Sequence, residues 1–212
     1  MTNNKKEVAM QIENHKEEVP FAHYEEKFSA LEPENVTSRM KGVKWDGKEF
    51  YVNLLGRGFA ISHPVYAIRA LDGGKLPPVP TQTFLLRYLL ESRDTAWAGA
   101  WKTFREMPWG EMYFKPYSGR VLTRAAFTFG TRVAAFRTAA EKMGAEAVKH
   151  GDAGYQFDLV GGYKMQILVW EGDEEFPPSA QILYSDNFAG GFAAEDRVVA
   201  GDILISTVKS FM

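Results

Sequence analysis

The chain has 212 residues, 45% of them hydrophobic, 25% charged and 14% aromatic, with no cysteine and a formal net charge of −2. The aromatic content and near-neutral charge exclude a disordered chain. The missing thiols exclude disulfides, zinc–thiolate centres, cysteine-ligated iron–sulfur clusters and a cysteine nucleophile. No apolar run is long enough to cross a bilayer, and the polar start Met1–Glu7 has no apolar leader core, so a soluble cytoplasmic protein with no membrane association is expected.

Residues 3–41 read as helical, in pieces. Asn3 or Asn4 caps a first helix carrying Val8, Met10 and Ile12. Pro20 ends it or starts a new helix, Phe21–Leu31, with Phe21, Tyr24 and Phe28 on one face. Pro33 opens a third, Glu34–Met40, stopped at Gly42. Strand material follows over Val43–Leu54 around an Asp46-Gly47 turn. Gly56-Arg57-Gly58 makes another turn, and Phe59–Leu71 gives one or two strands broken at Pro64. After a Pro-rich loop, Thr81 or Thr83 caps a helix over Phe84–Ser92. Residues 93–119 read as irregular and aromatic. A single long helix is predicted over Arg120–Met143, where Leu122, Ala126, Phe129, Val133, Phe136 and Ala140 keep a helical period. In the last third, Gly161-Gly162 joins strands Tyr155–Val160 and Met165–Trp170 as a hairpin. Ala180–Tyr184 is a further strand, and Glu195–Phe211 a closing helix.

Strands grouped by tight turns, rather than alternating singly with helices, predict an α+β fold with a mixed or mainly antiparallel sheet built from two strand groups. Residues 1–212 are expected to form one domain with a helical N-terminal segment, 1–42. Residues 43–92 and 151–212 share the order strands, loop, helix, which suggests a structural pseudo-repeat.

Charge is unevenly spread. Residues 50–150 carry 14 basic and 7 acidic groups, whereas residues 151–212 carry 3 basic and 10 acidic. Such asymmetry marks either a face for an acidic partner or two segments that pack on each other. The near-equal and opposite values favour mutual packing, and the acidic total argues against a nucleic-acid binder.

Four carboxylates fall in five residues in Trp170-Glu171-Gly172-Asp173-Glu174-Glu175. They could serve a divalent cation or an amine, or lie solvated, or pair with arginines of the basic middle. The spacing is not that of an EF-hand, and no metal site is expected. Arg105, beside Trp101 and Glu106, is the candidate guanidinium. It is expected to meet the carboxylates of 171–175 or Glu195 and Asp196, either as a structural pair or around a ligand anion. The aromatic run 97–117 lines a ligand pocket or packs a core. His15, His23, His63 and His150 are scattered without metal-ligand spacing. No nucleophile elbow, P-loop or dinucleotide fingerprint is present.

The stretch Trp170–Ala180, with Ile182-Leu183-Tyr184 and Ala194-Glu195-Asp196 after it, resembles the signature of DUF3786, a domain-of-unknown-function family of anaerobic bacteria and archaea. Trp101–Pro108, Gly151-Asp152-Ala153 and the apolar Leu85–Leu90 resemble its other motifs, so the likeness spans about residues 30–210. The resemblance carries no activity or cofactor. It implies an iron–sulfur or corrinoid protein as partner, since relatives are joined to cysteine-rich modules or encoded near corrinoid methyl-transfer systems and this chain has no cysteine of its own. The leading functional reading is a non-enzymatic accessory protein that binds a small ligand or a protein partner. The alternatives are an enzyme using Glu171 or Glu174 as acid/base beside Arg105, and a purely structural interaction module.

Overall fold

A computed structural model describes residues 20–212; the expected first helix, carrying Val8, Met10 and Ile12, lies outside the described residues. Residues 20–29 are helical (α1), and α2 spans Pro33–Arg39. Four strands then form an antiparallel meander in chain order: β1 Lys44–Trp45, β2 Glu49–Leu54, β3 Arg57–Ser62 and β4 Ala67–Ala70. The first turn is closed by Asp46, whose Oδ1 accepts the Lys48 and Glu49 N–H groups at 2.9 and 2.8 Å. The second turn places Leu55 and Gly56 at φ of +50° and +80°, the mirror-image turn that matches strand twist. Leu55 is held there because its N–H donates to Leu159 O at 2.8 Å, a bond that ties this sheet to the next.

The second sheet has the order β5-β9-β8-β7-β6, with every pairing antiparallel. Its strands are β5 Trp101–Thr103, β6 Glu146–Ala147, β7 Ala153–Val160, β8 Tyr163–Trp170 and β9 Ser179–Ser185. Gly161 and Gly162 turn the β7–β8 hairpin at φ of +53° and +84°. Gly161 has a further reason to lack a side chain: a Cβ there would sit 2.0 Å from the Tyr88 hydroxyl. The central β8 is buried almost throughout, as expected of a strand covered on both faces.

Helices α3 (Val79–Glu91), α4 (Gly110–Tyr117), α5 (Arg124–Phe129), α6 (Val133–Lys142), the short α7 (Phe188–Gly191) and α8 (Ala194–Ser210) complete an α+β fold. A continuous apolar cluster runs from Phe28, Phe50 and Phe59 through Leu85 and Leu89 of α3 to Ile167, Ile182 and Leu204, joining both sheets. The basic middle and acidic end meet: Arg87 pairs with Asp196, Arg120 with Glu195, and both Arg120 and Arg124 with Asp202.

Three expectations are corrected. The helix over Arg120–Met143 is two helices, broken at Gly130–Arg132. The break lets the chain after β8 approach: a Cβ on Gly130 would lie 2.6 Å from Pro178 Cβ and 2.9 Å from Trp170 O. Periodicity continues across the break and so conceals it. Residues 93–119 are not simply irregular. They hold β5, a 3₁₀ turn over Phe104–Glu106 and α4, which passes through a π-turn at Ser118–Thr123 into α5. The turn follows Pro116, which has no N–H to donate inside the helix. Finally, α3 starts at Val79 with Pro78 before it, earlier than a cap at Thr81 or Thr83. Pro80 fits in its first turn, where the N–H it lacks would have no partner anyway.

Candidate functional site

The acidic segment 171–175 is an exposed turn built on its own backbone. Asp173 Oδ1 accepts the N–H groups of Glu175 and Phe176 at 2.8 and 2.7 Å. These backbone donors hold its carboxyl below the ordinary range. Asp152 Oδ2 receives the Glu171 N–H at 2.8 Å. Among the described residues, no cation pairs with Glu171, Asp173, Glu174 or Glu175, and no group of three or more metal-ligating side chains forms.

Arg105 does not meet these carboxylates or those of 195–196. Its Nε lies 3.2 Å from Glu111 and its guanidinium 3.7 Å from the Phe114 ring centroid, both on the neighbouring α4. The physical reason is local. The 3₁₀ turn and α4 fold back on each other so closely that a Cβ on Gly110 would sit 1.9 Å from Phe104 O, and Arg105 finds its carboxylate in the first turn of the next helix. Glu106 points back along the chain and accepts from the Thr103 N–H and hydroxyl at 2.6 and 2.8 Å. These donors lower its carboxyl, backbone first. Trp101 opens β5 and packs edge-on against Trp97; Trp170 ends β8, 39% exposed. The aromatic run divides: Phe104 and Tyr117 stack in the core at 3.9 Å, whereas Trp109 and Tyr113 face outward. His63 is half-buried and packs edge-on against Phe28 at 5.2 Å, among Trp45 and Phe50.

Glu195 and Asp196 sit in the first turn of α8, as the sequence implied, and part company there. Glu195 is exposed, 3.6 Å from Arg120. Asp196 is buried, accepts the Ala193 N–H at 3.1 Å and lies 2.9 Å from Arg87 Nε. That Nε–H is not aligned on any acceptor, so the contact is an ion pair by proximity and a poor hydrogen bond. Burial therefore dominates and pushes the Asp196 carboxyl up to about 6, although Arg87 and the Ala193 N–H oppose it. Beside it Arg197, 1% exposed, donates to Pro108 O, lies over the Phe104 ring at 5.4 Å and leaves Nε and Nη1 unpartnered.

The best-formed concavity lies elsewhere, between the first sheet and α8. It measures about 860 Å³, within the range of small-molecule sites. One wall is the β2–β3 turn and the loop after β4, with Arg57, Asp72, Lys75 and Leu76. The other is α8, with Asp202, Ile203 and Ser206 and, just past its end, Phe211, joined by Arg120, Arg124 and Lys142. Arg57 forks onto both Asp72 oxygens at 2.8 and 3.1 Å and also donates to Lys75 O at 2.7 Å. The Arg57 fork, helped by the Gly74 N–H, holds the Asp72 carboxyl down at about 2. Arg120 of the π-turn and Arg124 at the start of α5 converge on Asp202, and Arg124 also donates to Ser206 Oγ at 2.8 Å. Among the described ion pairs, Lys75 and Lys142 take no part.

Sequence reasoning passed over this groove. One signal for it was present: Arg120 and Arg124 stand four apart on a helical stretch, a like-charge spacing that costs stability unless an anion answers it. A family model for a domain of unknown function, DUF3786, matches residues 32–207, and the chain belongs to that family. No curated protein and no solved structure matches it.

Proposed function

We propose that this DUF3786 member is a binding protein for a small amphipathic anion, held in the groove between the first sheet and α8. The carrying observation is the wall of that groove. Five cations, Arg57, Lys75, Arg120, Arg124 and Lys142, face two carboxylates that are already paired, with an apolar lining from Leu54, Leu76, Ile203 and Phe211. The surplus charge suits a carboxylate or phosphate, and the apolar lining suits its organic body. Arg120 and Arg124 are pre-oriented by Asp202, which reduces what binding must order.

Binding without catalysis fits the same wall, whose described carboxylates are both neutralised by arginine. The catalytic alternative at residues 171–175 has lost its guanidinium, since Arg105 is committed to Glu111. An iron–sulfur or corrinoid protein that exchanges the ligand is part of the proposal, to be sought by co-purification from the native host. The groove is tested by thermal shift with matched pairs of organic acids and their neutral amides. Acids with an apolar tail are expected to raise Tm, and Arg124→Ala with Lys142→Ala to abolish the rise. Equal shifts from the amides, or unchanged shifts in the double variant, would refute the reading.

A further inference from the structure

A second concavity, distinct from the groove, lies where the end of α2, the loop after α3 and the β7–β8 turn converge. It measures about 660 Å³, and Arg39, Lys41, Arg93, Asp94, Trp97 and Asn187 line it, with Gly161 and Gly162. We infer that this cleft is a binding site for a phosphorylated small molecule, with Arg39, Lys41 and Arg93 holding the phosphate oxygens.

The frame is rigid and built from buried polar groups. Asp94 N–H donates to Arg39 O at 2.9 Å, and Asp94 Oδ2 accepts the Lys41 N–H at 2.6 Å, clasping α2 to the loop. Buried Asn187 donates to Thr95 O at 2.8 Å and is itself fixed by the Ser185 hydroxyl at 2.6 Å. The Ser92 hydroxyl, also buried, donates to Gly191 O at 2.6 Å, and the Tyr163 hydroxyl donates to Arg93 O. So many bonds on one short loop pre-position the groups it presents.

The cleft carries a surplus of positive charge. Three cations stand against Asp94, whose oxygen is already taken by a backbone N–H, and none of the four takes part in an ion pair among the described residues. Arg39 and Arg93 are near enough to repel: after burial and against the help of Tyr88, the Arg93 charge contributes to lowering Arg39. Arg39 is steadied by donating to Leu89 O, and two guanidiniums and an ammonium against one carboxylate leave a positive surplus that suits a phosphate, which accepts paired N–H donors. Beneath the floor, against Gly161, lies the Tyr88 hydroxyl. It is fully buried and has no hydrogen-bond partner, and its electrostatic neighbours include Asp94 and Arg39.

The test is calorimetric titration of the full chain with inorganic pyrophosphate and, separately, adenosine monophosphate, at moderate salt. Binding of one or both is expected. Arg93→Ala combined with Lys41→Ala, two exposed positions that leave the frame's backbone bonds intact, is expected to weaken it by about tenfold or more. Arg124→Ala with Lys142→Ala, in the other groove, is expected to leave it unchanged, so the two sites fail separately. Loss of affinity in the groove variant alone, no binding of either probe, or full affinity in Arg93→Ala/Lys41→Ala would each overturn the assignment. Pyrophosphate binding without adenosine monophosphate binding would support a diphosphate as the recognised group; the reverse would support a monoester.

Discussion

Replacing Asp196 by asparagine exposes the cost of a buried carboxylate at the start of α8. The side chain is 7% exposed, with Arg87 close but misaligned. Its carboxyl stands at about 6 in the fold against 3.8 for an ordinary aspartate. The difference corresponds to about 3 kcal/mol. Because the folded value is raised, the protonated acid is the form the fold prefers. The associated stability is fully present below the unfolded value and is lost as pH rises through about 6. Asparagine keeps an oxygen for the Ala193 N–H but has nothing to titrate. Urea denaturation of both proteins between about pH 4 and pH 7.5 should therefore show the Asp196→Asn variant gaining on the wild type by about 2 kcal/mol as pH rises. Arg87→Ala should act with the opposite sign. It leaves the Asp196 charge uncompensated, costs about 3–5 kcal/mol near pH 7.5 and costs less near pH 4, where the carboxyl takes its proton. A pH-independent gap between the Asp196→Asn variant and the wild type, or a wild type that gains on the variant as pH rises, would refute the reasoning.

Gly130→Ala should destabilise by about 1–3 kcal/mol in urea melts, because its Cβ has Pro178 and Trp170 in the way. Helix propensity alone predicts the reverse sign. Arg105→Ala should cost less than about 1 kcal/mol, since its partner Glu111 is 73% exposed; a loss of several kcal/mol would mean a buried partner. Titration with Ca²⁺, Mg²⁺ or Mn²⁺ should give no micromolar site at 171–175, where Asp173 spends its oxygen on the backbone N–H groups of the turn. A stoichiometric micromolar site lost in Asp173→Asn would overturn that.

What the sequence determined by itself was local. Gly161-Gly162 and Asp46-Gly47 specify their turns because few residues tolerate positive φ. Pro33 marks a helix start for want of an N–H. Strands grouped by such turns could pair only as neighbours, so antiparallel sheets and the α+β class followed. The opposed charges of the two later segments told that they meet, but not through which side chains. Those pairings belonged to the tertiary structure. Arg105 turned to Glu111 because the chain folds back on itself at Gly110, and Asp196 rather than Glu195 became the buried carboxylate because of the face α8 presents to α3. The helix break at Gly130 likewise answers to a distant strand end, at Trp170. The groove and the cleft were invisible for the same reason. Each is lined by segments far apart in the chain, and a side chain's neighbours across such distances are set by how the elements pack, not by the residues beside it in sequence.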